Sequence, residues 1–199
     1  MTRRMPVAGC DHAPLSERGK DLCETPPVAV RALLRVEALP RVIWEPACGP
    51  GANVLRGAGY RVFASDLKNY GCPDSDGGVD FLVERSPPYG VGAIVTNPPF
   101  KIGGEFVAHA LALGVPKVAM LLRLRFLESE RRNAILDGGR LARVYPFANR
   151  LPMMHRDGWS GTKARSAMAF AWFVWETGHR RPGRDSAIQR IASEPTPCG

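Results

Sequence analysis

Short, nearly uninterrupted apolar runs, each bounded by glycine, proline or aspartate, restrict this chain more than any other feature: RVIWEPACG, YRVFASDL, VDFL, GAIVTNPPF, KVAMLLRLRFL, GRLARVYPF and SAMAFAWFVWE. A strand with one wet face alternates apolar and polar residues, whereas a run without alternation suits a strand covered on both faces. Helical stretches lie between several of the runs, notably GGEFVAHALALG. Strands alternating with helices point to an α/β sheet with helices on both faces. The segment Glu24-Thr25-Pro26-Pro27 before VAVRALLRV predicts a helix over about 26–38. Thr25 is its expected cap, and proline is tolerated in a first turn whose N–H groups are unbonded anyway.

A chain of 199 residues can bury one sizeable core. We expect one domain over 21–179, between a flexible lead-in at 1–20 and a flexible tail at 180–199, both mixing proline, glycine, serine and charge without periodicity. A hydrophobic fraction of 45% with 23% charged residues excludes a disordered or fibrous chain. Cysteines at 10, 23, 48, 72 and 198 form no CxxC pair, so neither a metal cluster nor a disulfide framework is expected, and a reducing cytoplasm fits. MTRRMPVAGC has charge but no apolar region after it, and the later apolar runs are too short or carry arginine, so no signal peptide or membrane segment is expected.

A net charge of +8 attracts polyanions, and nucleic acid is the natural partner of such a field. A generally basic soluble protein is the alternative. The excess concentrates between Arg123 and Arg165, where ten basic residues face Glu128, Glu130, Asp137 and Asp157.

VIWEPACGPGANVLRGAGYRVFASDL reads as strand, glycine turn, helix and a second strand ending in an acid. Gly49 and Gly51 let backbone approach a ligand closely, both by lacking a Cβ and by allowing positive φ. Asp66 stands at the carboxyl end of the next strand, where it can accept hydrogen bonds from ribose hydroxyls. Glu45 and the lack of a third, helix-opening glycine suit a cationic sulfonium and an amino acid better than a pyrophosphate.

These residues resemble class I S-adenosylmethionine-dependent methyltransferases, with E-P-A-C-G-P-G (Glu45 to Gly51) standing where that family carries [DE]-x-x-x-G-x-G. The resemblance implies a Rossmann-like fold, a mostly parallel seven-stranded sheet with its last strand antiparallel. It implies S-adenosylmethionine as cofactor, S-adenosylhomocysteine as product, and no metal. Gly49 and Gly51 would lie against the methionine part and Glu45 would orient its amino group, with Thr25, Pro26, Pro46, Ala47 and Leu67 around the cofactor. Asp66 would hold the ribose. Asp80 would accept from the adenine amino group, and Phe81 would either touch the adenine or belong to the core.

The strand GAIVT delivers Asn97-Pro98-Pro99-Phe100 to its carboxyl end. The tetrad matches the [DNS]-P-P-[YFW] motif of amino-group methyltransferases, in register with the upstream glycine turn. An amino nitrogen conjugated to a ring is a poor nucleophile. If the Asn97 side-chain oxygen and the Pro98 carbonyl each accept one N–H, the lone pair turns toward the methyl group. Pro99 rigidifies that carbonyl, and Phe100 offers a face to a planar base. Asn97 also borders the cofactor position. Cytosine C5 methylation would need a cysteine nucleophile, which the tetrad lacks, and Cys48 reads as a packing residue.

The order of a Thr-Pro helix, the glycine turn and NPPF resembles small phage and prophage N6-adenine DNA methyltransferases over roughly 20–178. Adenine or guanine in RNA and a protein glutamine are alternative acceptors, and a nucleic-acid-binding protein with a vestigial fold is the alternative outside enzymes. No separate target-recognition domain is expected within these 199 residues. Substrate contacts are expected from Phe100, Lys101, Arg131, Arg132, Arg156, Trp159 and Lys163, in RLRFLESERRNAIL and NRLPMMHRDGWSGTKAR. His155 and Asp157 are assigned structural or substrate-loop roles, because a methylated amino group loses its proton readily.

Overall fold

The computed structural model describes residues 23–69, 71–138, 140–152, 154–155, 168–179 and 186–193. In chain order the elements are β1 (Cys23–Glu24), α1 (Pro27–Val36), β2 (Val42–Glu45), α2 (Gly51–Gly57), β3 (Arg61–Asp66), β4 (Ser75–Gly77), β5 (Ala93–Thr96), α3 (Gly103–Ala112), β6 (Lys117–Arg123), α4 (Asn133–Leu136), β7 (Leu141–Pro146), β8 (Met154–His155), β9 (Phe170–Glu176) and β10 (Ala187–Ile188). Among the described residues, eight strands form one sheet in the order β10-β7-β9-β6-β5-β2-β3-β4. Every pairing is parallel except the two made by β9, which runs against both β6 and β7. A separate antiparallel pair joins β1 to β8.

Successive strand residues enter opposite cores, as a period of two requires. Ile43, Val95, Leu121, Trp172 and Val174 pack with Val30 and Leu33 of α1 and Leu55 of α2. Their neighbours Trp44, Ile94, Met120, Leu122, Phe173 and Trp175 pack with Phe106 and Val107 of α3. Both faces are therefore covered, which is the physical reason the runs show no alternation. Two buried indoles anchor the layers: Trp172 Nε1 donates to the carbonyl of Ala29 at 2.9 Å, and Trp175 Nε1 to that of Ile135 at 2.8 Å.

Several expectations change. The sheet has eight strands rather than seven, because β10, within the segment expected to be a flexible tail, pairs in parallel with Arg143 and Val144. VDFL forms no strand. Asp80 accepts the Leu82 N–H at 3.0 Å and caps a 3-10 turn, Phe81–Val83, while the neighbouring strand is the polar β4 at the sheet edge. Thr25 does not cap α1. The N-cap is Pro26, without a side-chain bond, and the helix ends at Val36 because Glu37 turns to an extended conformation. RLRFLESERRNAIL is a string of 3-10 turns closing in the single turn of α4. No helix among the described residues is long and apolar enough to cross a membrane.

Glu37 is buried where α1 meets the amino end of β6. It accepts from Lys117 Nζ at 2.9 Å, Tyr145 Oη at 2.8 Å and both Nε and Nη2 of Arg143, while Glu176 accepts from Lys117 at 2.8 Å and Arg143 at 2.7 Å. Burial alone would raise the pKa of Glu37, but the hydrogen bonds from Arg143, Lys117 and Tyr145 hold it below the usual carboxylate range. Burial and Glu37 together push the Tyr145 phenol up to about 12. A depressed carboxylate pKa contributes stability that is present above the unfolded value of 4.5 and is lost as pH falls through the folded value. Glu37→Ala leaves Lys117 and Arg143 to Glu176 alone and removes the Tyr145 acceptor, and should cost about 1.5–3 kcal/mol at pH 7. Chemical denaturation of both proteins checks this, with the gap expected to narrow below pH 4.5.

Candidate functional site

From β2 the chain builds outward to β3 and β4 on one side, while β5 and β6 lie on the other. Parallel sheets bind ligands at the carboxyl ends of strands where the order reverses in this way. The residues at that point are Glu45, which ends β2, Thr96, which ends β5, and Asn97 directly after it.

The turn after β2 is packed tightly. Glu45 is 2% exposed, and Ala47 and Cys48 are also buried. The Cys48 N–H donates to the Ser65 carbonyl at 3.0 Å, and the Ala52 N–H to the Gly49 carbonyl at 3.2 Å, so the turn is fastened to β3 and to its own helix. A Cβ on Gly51 would stand 3.1 Å from Glu45 Oε1, 3.3 Å from Val30 Cγ2 and 3.4 Å from Thr25 Cβ. Gly51 thus lets the Glu45 carboxylate, Thr25 and α1 converge at the start of α2. Positive φ plays no part, contrary to expectation: neither Gly49 nor Gly51 is among the glycines that adopt it. Thr25 is buried in this cluster beside the glycine turn, and Pro26 and Pro46 are buried too.

One strand over, Asp66 is buried at the end of β3, and its Oδ1 accepts the Lys68 N–H at 3.1 Å. Leu67 follows it with 61% of its surface open. The Asp66 carbonyl accepts the Val79 N–H at 3.1 Å, which draws Asp80 toward the same edge. Phe81 does not join it. The ring is 2% exposed and sits 5.1 Å from Trp44, 4.8 Å from Phe106 and 4.9 Å from His109, so the core role holds and no face is left for an adenine.

Past β5, Asn97 and Pro98 are buried and Pro99 is half-buried. The Pro99 carbonyl accepts the Ile102 N–H at 3.2 Å and starts the 3-10 turn Phe100–Ile102, whereas no N–H among the described residues bonds the Pro98 carbonyl. Gly103 admits Leu122 Cδ2 to 3.3 Å of its Cβ position, bringing α3 close against β6. Phe100 is half-buried, 5.5 Å from Phe170 at 45°, with the Arg123 guanidinium 4.3 Å over its ring. Cys48 Sγ points at the Gly49 carbonyl at 3.8 Å inside the turn, in keeping with a packing role.

Of the expected substrate residues, Lys101 and Arg131 are exposed. Arg132 is instead spent on its own loop, stacking 4.3 Å over Phe126 and donating to the Phe126 carbonyl at 3.0 Å. Arg156, Trp159 and Lys163 lie outside the described residues. Arg123 was counted in the sequence only as part of a basic excess. Its place as the last residue of a buried strand, beside the motif-bearing one, was the signal for it.

No protein-family model matches the chain, and no curated protein matches its sequence. Solved structures do match. A protein from Pyrococcus horikoshii described as a candidate RNA methyltransferase is 12% identical, covers 79% of this chain and 87% of its own, and gives a TM-score of 0.52. A dimethyladenosine transferase from Plasmodium falciparum is 12% identical with a TM-score of 0.50 over 78% of this chain, which spans 62% of the length of that one. At such identity the likeness is one of fold: the chain has the Rossmann-like fold of methyltransferases.

The space around the glycines separates two otherwise similar substitutions. Gly51→Ala pushes into Glu45 and Val30 and should cost about 1–3 kcal/mol. Gly57→Ala, whose Cβ meets nothing within 4 Å, should gain up to about 1 kcal/mol from helix propensity. Thermal unfolding of the two variants checks the opposite signs.

Proposed function

We propose that this chain transfers a methyl group from S-adenosylmethionine to an exocyclic amino nitrogen of a nucleic-acid base, with N6 of adenine in DNA as the favoured acceptor. The observation that carries the reading is the buried Asn97, held at the carboxyl end of β5 next to the strand that delivers the Glu45–Gly51 turn.

The residues present fit the cofactor. The buried Glu45 carboxylate, brought close to the backbone of the turn by Gly51, is suited to the ammonium of an amino acid. Gly49, Pro46, Ala47, Thr25 and Pro26 complete that end. In this reading the buried Asp66 accepts from ribose hydroxyls, Asp80 accepts from the adenine amino group, and the open Leu67 side chain covers the ring. When bound, S-adenosylmethionine supplies a sulfonium methyl, and its transfer to nitrogen leaves S-adenosylhomocysteine.

The chain's own work is to make the amino nitrogen nucleophilic. Asn97 and the Pro98 carbonyl each accept one N–H, so the lone pair leaves conjugation with the ring. Burial of Asn97 and Pro98 strengthens those bonds by lowering the local dielectric. Pro99 fixes the carbonyl's direction, and Phe100 seats the base. The nitrogen then sheds its proton to water, and no general base is required.

The net charge of +8 supports a polyanionic substrate, and the motif order supports DNA. The same chemistry on adenine in RNA is the second reading, and it is the one suggested by the names of the two similar structures. Asn97→Ala should lower methyl transfer by on the order of 10²–10³-fold, the scale of removing one preorganised hydrogen-bonding group. Calorimetry should find S-adenosylmethionine binding retained in that variant. Undiminished transfer would overturn the mechanism.

A further inference from the structure

Arg123 ends β6. Three residues earlier, Met120 pairs with Thr96, the last residue of β5, so Arg123 extends past the end of that strand to the level of the Asn97–Phe100 turn. Strand alternation puts it on the side of Ala119 and Leu121, where Phe100 and Phe170 also pack. Across the sheet its register partner is Phe170. The guanidinium carbon lies 4.3 Å from the centre of the Phe100 ring, and Phe170 flanks that ring at 5.5 Å.

Several of the other described arginines have polar partners within the fold. Arg143 is paired with two carboxylates, and Arg35, Arg56 and Arg132 donate to carbonyls. Among the described residues Arg123 has no carboxylate partner, and its buried Nε has no acceptor. An aromatic face offsets only part of the cost of desolvating a cation. A guanidinium held over a ring, with donors to spare, suits a phosphate.

We propose that Arg123 binds a phosphodiester of the target nucleotide, and that its stacking on Phe100 ties that backbone contact to the ring that seats the base. The proposal rests on the reading above that the acceptor is a nucleic-acid base. The recognising chemistry is the same in DNA and RNA.

The test uses the full chain and its Arg123→Gln and Arg123→Lys variants. Binding of labelled duplex DNA, single-stranded DNA and RNA oligonucleotides is measured by fluorescence anisotropy over a range of salt, alongside methyl-transfer kinetics. Loss of one phosphate contact should reduce the slope of log K against log salt by about 0.7–0.9 in Arg123→Gln on the nucleic acid that is the substrate. KM should rise about 10- to 100-fold with kcat nearly unchanged. Arg123→Lys should restore the slope but only part of the affinity, since lysine keeps the charge and loses the planar stack. Should the glutamine variant fail to fold, Arg123→Met keeps an unbranched stem over Phe100 and carries the same expectation. A wild-type slope in the charge-removing variant, or a fall in kcat at constant KM, would overturn the proposal. If the wild type methylates none of these nucleic acids, the acceptor reading fails and this proposal with it; if it methylates one and the slope does not move, this proposal alone falls.

Discussion

Strand β9 is hydrogen-bonded along both edges and packed on both faces, and the rest of the molecule is arranged around that fact. Six of its seven residues are buried, and its side chains enter the two cores by turns. Strands β6 and β7 both run against it and are therefore parallel to each other, while the parallel pairings among β2, β3, β5 and β6 put their carboxyl ends on one edge. That edge gathers Glu45, Asp66, Asn97 and Arg123. The same strand supplies Phe170 against Phe100.

The two ends of the sheet carry charge in different ways. At the amino end of β6, Glu37 and Glu176 are shared between Lys117 and Arg143, so each charge is met within the fold and serves stability. At the carboxyl end the buried Glu45 faces the glycine turn, and Arg123 rests on an aromatic ring.

Much of this was legible in the residues, for local reasons. The apolar runs marked strands buried on both faces, and the glycine turn and Asn97-Pro98-Pro99-Phe100 tetrad stood where the sheet delivers them. What escaped depends on contacts distant in sequence. The Glu37 network joins residues 80 and 106 positions apart, and no window of sequence displays it. Strands β4 and β10 are short and mostly exposed, formed by a neighbouring edge rather than by their own pattern. Thr25 resembles a cap in one dimension, but in space it faces Gly51. Phe81 followed an acid in a suggestive pair, yet three surrounding rings decide its place.

The central claim is methyl transfer to an amino nitrogen of a nucleic-acid base, and one measurement bears on it most directly. Isotopically labelled methyl from S-adenosylmethionine is offered with duplex DNA, single-stranded DNA, RNA and protein, and the labelled material is digested and separated. The account predicts label in nucleic acid as an N-methylated base, N6-methyladenine foremost. Label confined to protein, label on a ring carbon, or no transfer to any of the four would contradict it.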